Sequence, residues 1–561
     1  MSSKKIIGRS ETKDANAFLS SVDDTESCAP VFPPHRIHSV AYHRAPLLSN
    51  HDATESLLTW FDSISEKRKM PWRKPWLDPA AFDRNQEELE RSRSERAYQV
   101  WVSEIMLQQT RVSVVIPYFN NWISKWPTVE DLSHASQDEV LAAWKGLGYY
   151  SRATRLLEAA QQIVNDMDGR IPGDVESLRK IKGIGRYTAG AVSSIAFGHA
   201  APVLDGNVSR VLCRQLGLYA RVKEKSKEDL LWKAAAMLVE NVTSCSIESG
   251  LSDIPGRWNQ GLMELGSTIC TPKPKCHECP IQSTCRAYAE GQLLGRTSSD
   301  VGMLEDIEDA CYLCEQLELE EVEAAVAKAD TESDSSHLSK PRRKRTATVT
   351  ELASRTAKSA KANTTTQRSI HDFTTLPGLA TQSASPPTHP QSEQDAKVIA
   401  YCSLFPKREP KKKTPEEECA VCIIRRDTDL GDHYLIEQRP PNGLLASLWQ
   451  FPTYKLPTNR NWSLKLRKTE SRIFVQRIVG HDRNVKLSPT TERGSVTHVF
   501  SHLRLQMYVH EYRLGCDDSI AREIVSEDGP KRLWVSRQRV SDATLSTGMR
   551  RCWEQYRSSG N

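Results

Sequence analysis

The 561-residue sequence has no apolar run near the roughly 20 residues that a membrane-spanning helix needs. Its first residues, Met1 to Ser10, also lack the apolar core of a secretory signal. These absences argue against membrane-spanning and secreted proteins, and we expect a soluble intracellular protein without membrane association. Hydrophobic residues are scarce as well, at 38%, which is low for a fully packed chain of this length. We therefore expect long stretches that do not fold alone beside the folded domains.

Excess positive charge is also limited, because the formal net charge is only +5. The basic runs at 340–345 and 407–413 carry net charges of +5 and +4, so the remaining residues sum to about −4. A nucleic-acid surface on the folded part must then come from local arrangement and backbone N–H groups rather than from a global positive field.

The composition and the spacing of apolar residues change along the chain, and we find no internal repeat. Apolar residues recur at helical spacing after the Ser- and Pro-rich start, and strand-like runs separated by Gly and Pro turns follow near the end. Between 296 and 400 the only aromatic residues are Tyr312 and Phe373. Composition therefore predicts a disordered leader at 1–50, an all-α domain at 51–290, a largely disordered connector at 291–415, an α+β domain at 416–550 and a tail at 551–561.

Four of the 14 cysteines lie close together. Cys270, Cys276, Cys279 and Cys285 are separated by gaps of five, two and five residues. Prolines at 272, 274 and 280 oppose a continuous helix that would bury these cysteines as core. Four thiolates at this spacing suit either an iron–sulfur cluster or a zinc ion, and chemistry alone leaves both open.

Two other motifs suggest chemistry on a helical scaffold. The turn at Gly183 to Gly185 lets the backbone bend sharply, and the N–H groups of the following helix can hold a phosphate, although an ordinary helix–helix turn fits too. In the run at 100–110, Glu104 shares a helix face with Val100 and Trp101. Desolvation there would raise the carboxyl pKa and fit it for proton donation, unless Glu104 is a surface or ion-paired residue.

The runs at 100–110, 178–191 and 204–212 together resemble the adenine DNA glycosylase (MutY) family, as do the shorter matches at 71–73, 146–152 and 259–260. The resemblance covers about 57–288 and, more weakly, the last domain. It implies a helix-hairpin-helix fold, removal of adenine opposite 8-oxoguanine or guanine, and a 4Fe–4S cluster on the four cysteines. The family usually carries six residues in the first cysteine gap, where this chain has five.

The same resemblance implies a catalytic set. Glu104 would protonate the adenine ring at N7 and later assist the attacking water, while Asp205 would lie beside the anomeric carbon. Tyr187 and Asn207 would hydrogen-bond to this pair or to the water. Bifunctional endonuclease III-type relatives carry a lysine nucleophile at position 187, so the tyrosine favours base removal without strand cutting.

A further set of residues is implied to contact DNA. Gln260 would touch the flipped adenine, and Tyr149 and Gln109 would fill the gap that it leaves, although Tyr149 also suits a core position. The residues expected to contact the DNA of this domain are Arg73, Gln108, Gln109, Tyr149, Gly183, Gly185 and Gln260.

The last domain resembles, at 420–456 and 500–502, the Nudix-related domain with which the family reads 8-oxoguanine. It lacks the Gly-x5-Glu-x7-Arg-Glu-x2-Glu-Glu box whose carboxylates bind magnesium, so binding fits better than hydrolysis. Phe500, Ser501 and His502 are the residues expected to read the lesion, with a buried polar strand end as the alternative for Ser501.

The connector carries three weaker motifs. Cys311 and Cys314, with His43, resemble a zinc site of animal relatives from which one cysteine is missing here. A sliding-clamp box is suggested by Gln367, Ile370 and Phe373, without its second aromatic, and the basic run at 340–345 suggests nuclear import, with a mitochondrial location left open.

Two other functions compete with adenine excision. One is a bifunctional glycosylase and lyase for oxidised pyrimidines, which Tyr187, Glu104 and the second domain oppose. The other is a non-catalytic damage-binding protein, which has no use for carboxylates facing DNA. We expect a monomer that acts on double-stranded DNA.

Overall fold

The computed structural model describes residues 30–82, 85–244, 251–294, 311–334, 393–410, 414–428, 431–440, 443, 445–458, 460–479, 486–500, 503–515 and 530–559. Within these ranges, no helix is both long and apolar enough to cross a membrane.

The first domain is helical, as its sequence periodicity predicts. Its helices are α1 (His51–Arg68), α2 (Gln86–Leu107), α3 (Val112–Lys125), α4 (Val129–Ser133), α5 (Gln137–Ala143), α6 (Ser151–Met167), α7 (Val175–Leu178), α8 (Arg186–Phe197), α9 (Gly206–Gln215), α10 (Lys225–Ser244), α11 (Ile254–Thr268) and α12 (Arg286–Gln292). Side chains of Asn50 and Asn85 cap α1 and α2, and capping boxes at Thr128 and Ser136 start α4 and α5.

Helix α2 runs through the core and carries the catalytic candidate Glu104 on its buried face. It packs against α8, and Tyr98, Trp101 and Met106 on it are almost fully buried. Gly190 permits the close approach of α8 to the following segment, because a Cβ there would lie 2.1 Å from the Pro202 carbonyl oxygen.

Residues 30–48, before α1, pack against the helical domain. The composition instead predicts a disordered leader through residue 50, and for these residues that prediction is wrong. It contains 3-10 helices at Val40–His43 and Pro46–Leu48, and Tyr42 and Leu47 are buried. A buried ion pair from Arg36 Nε to Glu290 Oε2, at 3.0 Å, fixes it to α12. Composition could not predict this packing, because the apolar residues of the segment are buried against the helical domain and not against one another.

Parts of the connector also pack on the helical domain. Helices α13 (Leu319–Asp334) and α14 (Glu393–Cys402) contact one another, and α14 also contacts α12. Tyr401 and Phe405 are almost fully buried together with Tyr219 of the helical domain.

The C-terminal domain is α+β, as expected, but its last helix runs to Ser558, so residues 551–558 belong to the domain rather than to the predicted tail. It contains β1 (Glu416–Thr428), β2 (Gly431–Gln438), β3 (Trp449–Gln450), β4 (Thr453–Leu456), α15 (Leu464–Val479), β5 (Lys486–Leu487), β6 (Thr491–Val499), β7 (Arg504–Gly515), β8 (Arg532–Ser536), α16 (Arg537–Asp542) and α17 (Thr547–Ser558). The order β3-β2-β1-β7-β5 forms the central path, with β1 and β7 parallel, and β4, β6 and β8 pair with β1, β7 and β2.

Successive apolar side chains of β1 point to opposite faces of the sheet, and both faces are buried. Val421 and Ile423 pack against α17, which contributes Trp553, whereas Ile424 packs against Val475 of α15. The sheet is therefore covered by a helix on each side.

Candidate active site

Glu104 lies on α2 and faces Tyr187 at the start of α8. The Tyr187 hydroxyl donates a hydrogen bond to Glu104 Oε2 at 2.6 Å, and the Glu104 residue is only 7% exposed. Burial raises the pKa of Glu104 to about 7; the Tyr187 bond and Arg73 oppose the rise, and Asp205 adds to it. The carboxyl group can thus hold a proton near neutral pH, as a general acid must.

Asp205 and Asn207 lie at the N-terminus of α9. Asp205 Oδ1 accepts from the backbone N–H groups of Asn207 and Val208 at 2.9 and 2.7 Å, and Oδ2 accepts from Asn207 Nδ2 at 2.9 Å. These bonds make Asp205 the N-cap of the helix and fix its orientation. Burial is the main cause of a Tyr187 pKa well above its usual range, and Glu104 and Asp205 contribute, so the structure brings these three groups into one electrostatic unit.

The hairpin glycines differ in their roles. Gly183 has φ +83°, a left-handed conformation that favours glycine, whereas Gly185 has φ −89° and no atom within 4 Å of a Cβ position. Both line a cavity of about 580 Å³ together with Gln108 and Tyr187. The open backbone at Gly185 leaves space for a phosphate at the N-terminus of α8.

Arg73 and Gln260 line a second cleft, of about 780 Å³. Arg73 Nη2 is 2.7 Å from Oε2 of Glu264, a residue only 3% exposed that also pairs with Arg68. Gln260 donates to the Gly256 carbonyl, at 3.1 Å, within its own helix. Glu264 was not predicted from the sequence, and its only signal is the four-residue spacing that places it on the α11 face of Gln260.

Gln109 and Tyr149 are exposed and have positive φ angles of 56° and 48°. Tyr149 is 48% exposed, which excludes the alternative that it is a core aromatic. Arg152 connects the two turns, because its Nη1 donates to the Gln108 carbonyl at 2.9 Å and its guanidinium lies 5.5 Å from the Tyr149 ring centre. Both predicted gap-filling side chains therefore stand exposed on turns fixed by one arginine.

Comparison with known proteins identifies the family to which this chain belongs. The HhH-GPD superfamily of base excision DNA repair proteins matches residues 102–236, and the NUDIX domain family matches 420–555. The human adenine DNA glycosylase is 33% identical over 512 residues, which cover 89% of this chain and 73% of the human protein. The chain belongs to the adenine DNA glycosylase family.

A second relative extends this result. The adenine DNA glycosylase of Schizosaccharomyces pombe is 30% identical over 491 residues and covers 87% of each chain. Among solved structures, a thermostable thymine-DNA glycosylase is 26% identical over 41% of this chain and 93% of its own, with a TM-score of 0.31. Membership in the family confirms the resemblance drawn from the sequence, and with it the helix-hairpin-helix and Nudix-like fold and the activity of a base excision repair DNA glycosylase.

The glycosylase brings its four predicted cluster cysteines together. Cys270, Cys276, Cys279 and Cys285 line one small cavity and are partly buried. Arg214 Nη1 is 3.2 Å from Cys270 Sγ, so a cation faces the thiols. Four sulfur donors with a neighbouring positive charge fit a group whose ligands are thiolates.

A second donor group lies between the N-terminal segment and the connector. The ligand atoms of His38, His43, Cys311 and Cys314 all lie within 4.8 Å of one another. His43 Nε2 is 3.2 Å from Cys311 Sγ and 3.4 Å from Cys314 Sγ, while its Nδ1 is 2.8 Å from the Leu216 carbonyl oxygen. His38 was not predicted from the sequence, and it supplies the fourth possible donor of this group.

Other predicted residues are only partly described. Phe500 is described and packs edge-on against His498 at 4.5 Å between ring centres. Ser501 and His502 lie outside the described residues, as do the clamp-box residues Gln367, Ile370 and Phe373 and the basic run at 340–345.

Proposed function

We propose that this glycosylase hydrolyses the N-glycosidic bond of adenine paired with 8-oxoguanine or guanine, and that it leaves the DNA strand intact. One observation carries the proposal: the buried carboxyl of Glu104 accepts a 2.6 Å hydrogen bond from Tyr187, and burial raises its pKa to about 7. A neutral carboxylic acid at this place can donate a proton to a departing base.

The chemistry requires two carboxyl groups with different tasks. Bond cleavage develops positive charge on the sugar and negative charge on the adenine. Glu104 protonates the base at N7, and the carboxylate that remains can take a proton from the attacking water. Asp205, held by Asn207 and Val208, supplies negative charge next to the sugar cation.

Strand cutting would need a neutral amine that attacks the sugar. Tyr187 supplies none. Lys182 and Lys225 line the 580 Å³ cavity, but the side-chain nitrogen of each is engaged in an ion pair at 2.9 Å, with Glu158 and Asp229 respectively. This supports a monofunctional enzyme over the lyase alternative.

We propose that the C-terminal domain reads 8-oxoguanine through Phe500, Ser501 and His502. Two contacts support this placement. Lys145 Nζ approaches the carbonyl oxygens of Ser541 and Asp542, each at 3.4 Å, and Lys145 belongs to the turn that carries Tyr149. The domain thus lies beside the turn expected to enter the DNA.

We further propose that the four cysteines hold a 4Fe–4S cluster, which would brace the loop after α11. The donor set near Arg214 fits it, and the five-residue first gap falls in a loop between Cys270 and Cys276 that is largely accessible to solvent. The group of His38, His43, Cys311 and Cys314 fits zinc, since two sulfur and two nitrogen donors form a usual structural set.

Sliding-clamp binding through Gln367, Ile370 and Phe373 and nuclear import through the run at 340–345 stay predictions, because both motifs lie outside the described residues.

One assay separates the competing functions. Purified protein is incubated with duplexes that carry adenine opposite 8-oxoguanine, adenine opposite guanine, or an oxidised pyrimidine, and products are scored before and after alkali. We expect adenine release on the first two duplexes and strand breaks only after alkali. Breaks before alkali would favour the lyase, and binding without release would favour a damage-binding protein.

A further inference from the structure

A fifth cysteine lies in the cavity of the four cluster cysteines. Cys402 is the last residue of α14, in the connector, and is 1% exposed. Its side chain is a hydrogen-bond partner of the Cys276 side chain, and both line the same small cavity. The cavity lined by Cys270, Cys276, Cys279, Cys285 and Cys402 is called here the cysteine chamber.

Helix α14 is fixed firmly at the cysteine chamber. The Tyr401 hydroxyl donates to Glu290 Oε2 at 2.6 Å, and Val398 packs against Gly291 of α12. The carbonyl of Cys402, at the end of the helix, accepts from Arg214 Nε at 2.8 Å and from the backbone N–H of Phe405 at 3.3 Å. Arg214 thereby joins Cys402 to Cys270, whose sulfur its Nη1 approaches at 3.2 Å.

We propose that Cys402 is a positioning residue for the cluster: its thiol donates a hydrogen bond to the ligand sulfur of Cys276, so that the connector controls the reduction potential of the cluster and its resistance to oxidants. This inference rests on the proposed 4Fe–4S cluster. Hydrogen bonds to cluster sulfurs stabilise the more reduced and more negative state, and they are among the factors that set the potential.

The test uses the full-length protein and compares Cys402→Ala with Cys402→Ser. The alanine variant loses the donor, so we expect a more negative midpoint potential in protein-film voltammetry and several-fold faster oxidative bleaching of the visible absorbance. The serine variant keeps a donor of similar size and should stay close to the wild type in both measurements.

Val398→Ala is the matched control, because it loosens the same helix and leaves the thiol in place. An equal shift in Val398→Ala and Cys402→Ala, or no shift in Cys402→Ala, would overturn the proposal, as would loss of iron from the alanine and serine variants alike. Iron and sulfide analysis of the wild type comes first. If the wild-type protein contains no iron, the proposal of a 4Fe–4S cluster is wrong, and so is the role proposed for Cys402.

Discussion

At the scale of single residues, Glu104 is the acid on which the chemistry depends. Glu104→Gln keeps the shape of the side chain and removes the proton, so we expect adenine release to fall by about 10²–10⁴-fold. Duplex affinity should change little. Single-turnover rates and binding on the same duplex check this, with Glu90→Gln as control, an exposed glutamate on the same helix. Strong residual cleavage by Glu104→Gln would exclude Glu104 as the acid.

Burial sets the pH range of this acid, and the hydrogen bond from the Tyr187 hydroxyl reduces the rise in its pKa. Because the protonated form is active, the rate should fall as the pH rises through about 7, the pKa of Glu104. The Tyr187 hydrogen bond lowers that pKa, so Tyr187→Phe should raise it and move the fall in rate to higher pH. The pH profile of the single-turnover rate checks the direction, and an unchanged profile would contradict it.

Whether the sequence predicts such residues depends on how far along the chain their interaction partners lie. The helical spacing around Glu104 predicts its buried face correctly, since that pattern is local. Glu264 could not be predicted from the sequence, because its partners Arg68 and Arg73 are 196 and 191 residues away and only the fold brings them to it.

At the scale of elements, the approach of α11 to α9 positions the second carboxylate. A Cβ on Gly266 would lie 2.7 Å from Asn207 Cβ and 2.8 Å from the Asn207 carbonyl oxygen. Gly266→Ala should therefore displace the start of α9 and slow adenine release, with a stability loss of about 1–3 kcal/mol. Gly261→Ala on the same helix is the control, because its Cβ meets Phe61 at an ordinary 3.5 Å. Equal rates for both variants would contradict this.

The proposed zinc ion should hold the N-terminal segment to the connector. Removal of His38 leaves three ligands, so His38→Ala should lose zinc and become more sensitive to protease between residues 30 and 48, while its iron content stays unchanged. His35→Ala is the control, since His35 is exposed in the same segment. Elemental analysis and limited proteolysis check both effects. Full zinc content in His38→Ala would remove His38 from the site.

The packing of these elements also explains what composition could not predict. Residues 30–48 and 393–410 are each too short to form a core of their own, yet Tyr42, Leu47, Tyr401 and Phe405 are buried. Composition measures what a segment can bury by itself. It does not register a core that another segment supplies.

At the scale of the whole molecule, the described parts of the connector, 311–334 and 393–410, pack on the catalytic domain. A truncation after residue 300 would remove Cys311 and Cys314 from the donor group and Cys402 from the cysteine chamber. A cut after Pro410 keeps all of these contacts and removes the sheet domain. It is therefore the cut that separates base removal from reading of the opposite base.

The protein truncated after Pro410 should still release adenine, because Glu104, Tyr187, Asp205 and the cysteine chamber are intact. Its preference for adenine opposite 8-oxoguanine over adenine opposite guanine should fall, since contacts to the opposite base are lost. A lost base contact is worth about 1–3 kcal/mol, which corresponds to a drop in preference of roughly tenfold to a hundredfold. Single-turnover rates and affinities on both duplexes must be measured at one salt concentration, because phosphate contacts weaken with salt for both alike. If the truncated protein keeps its iron and its full preference, the sheet domain does not read the lesion, and its contact with Lys145 serves stability instead.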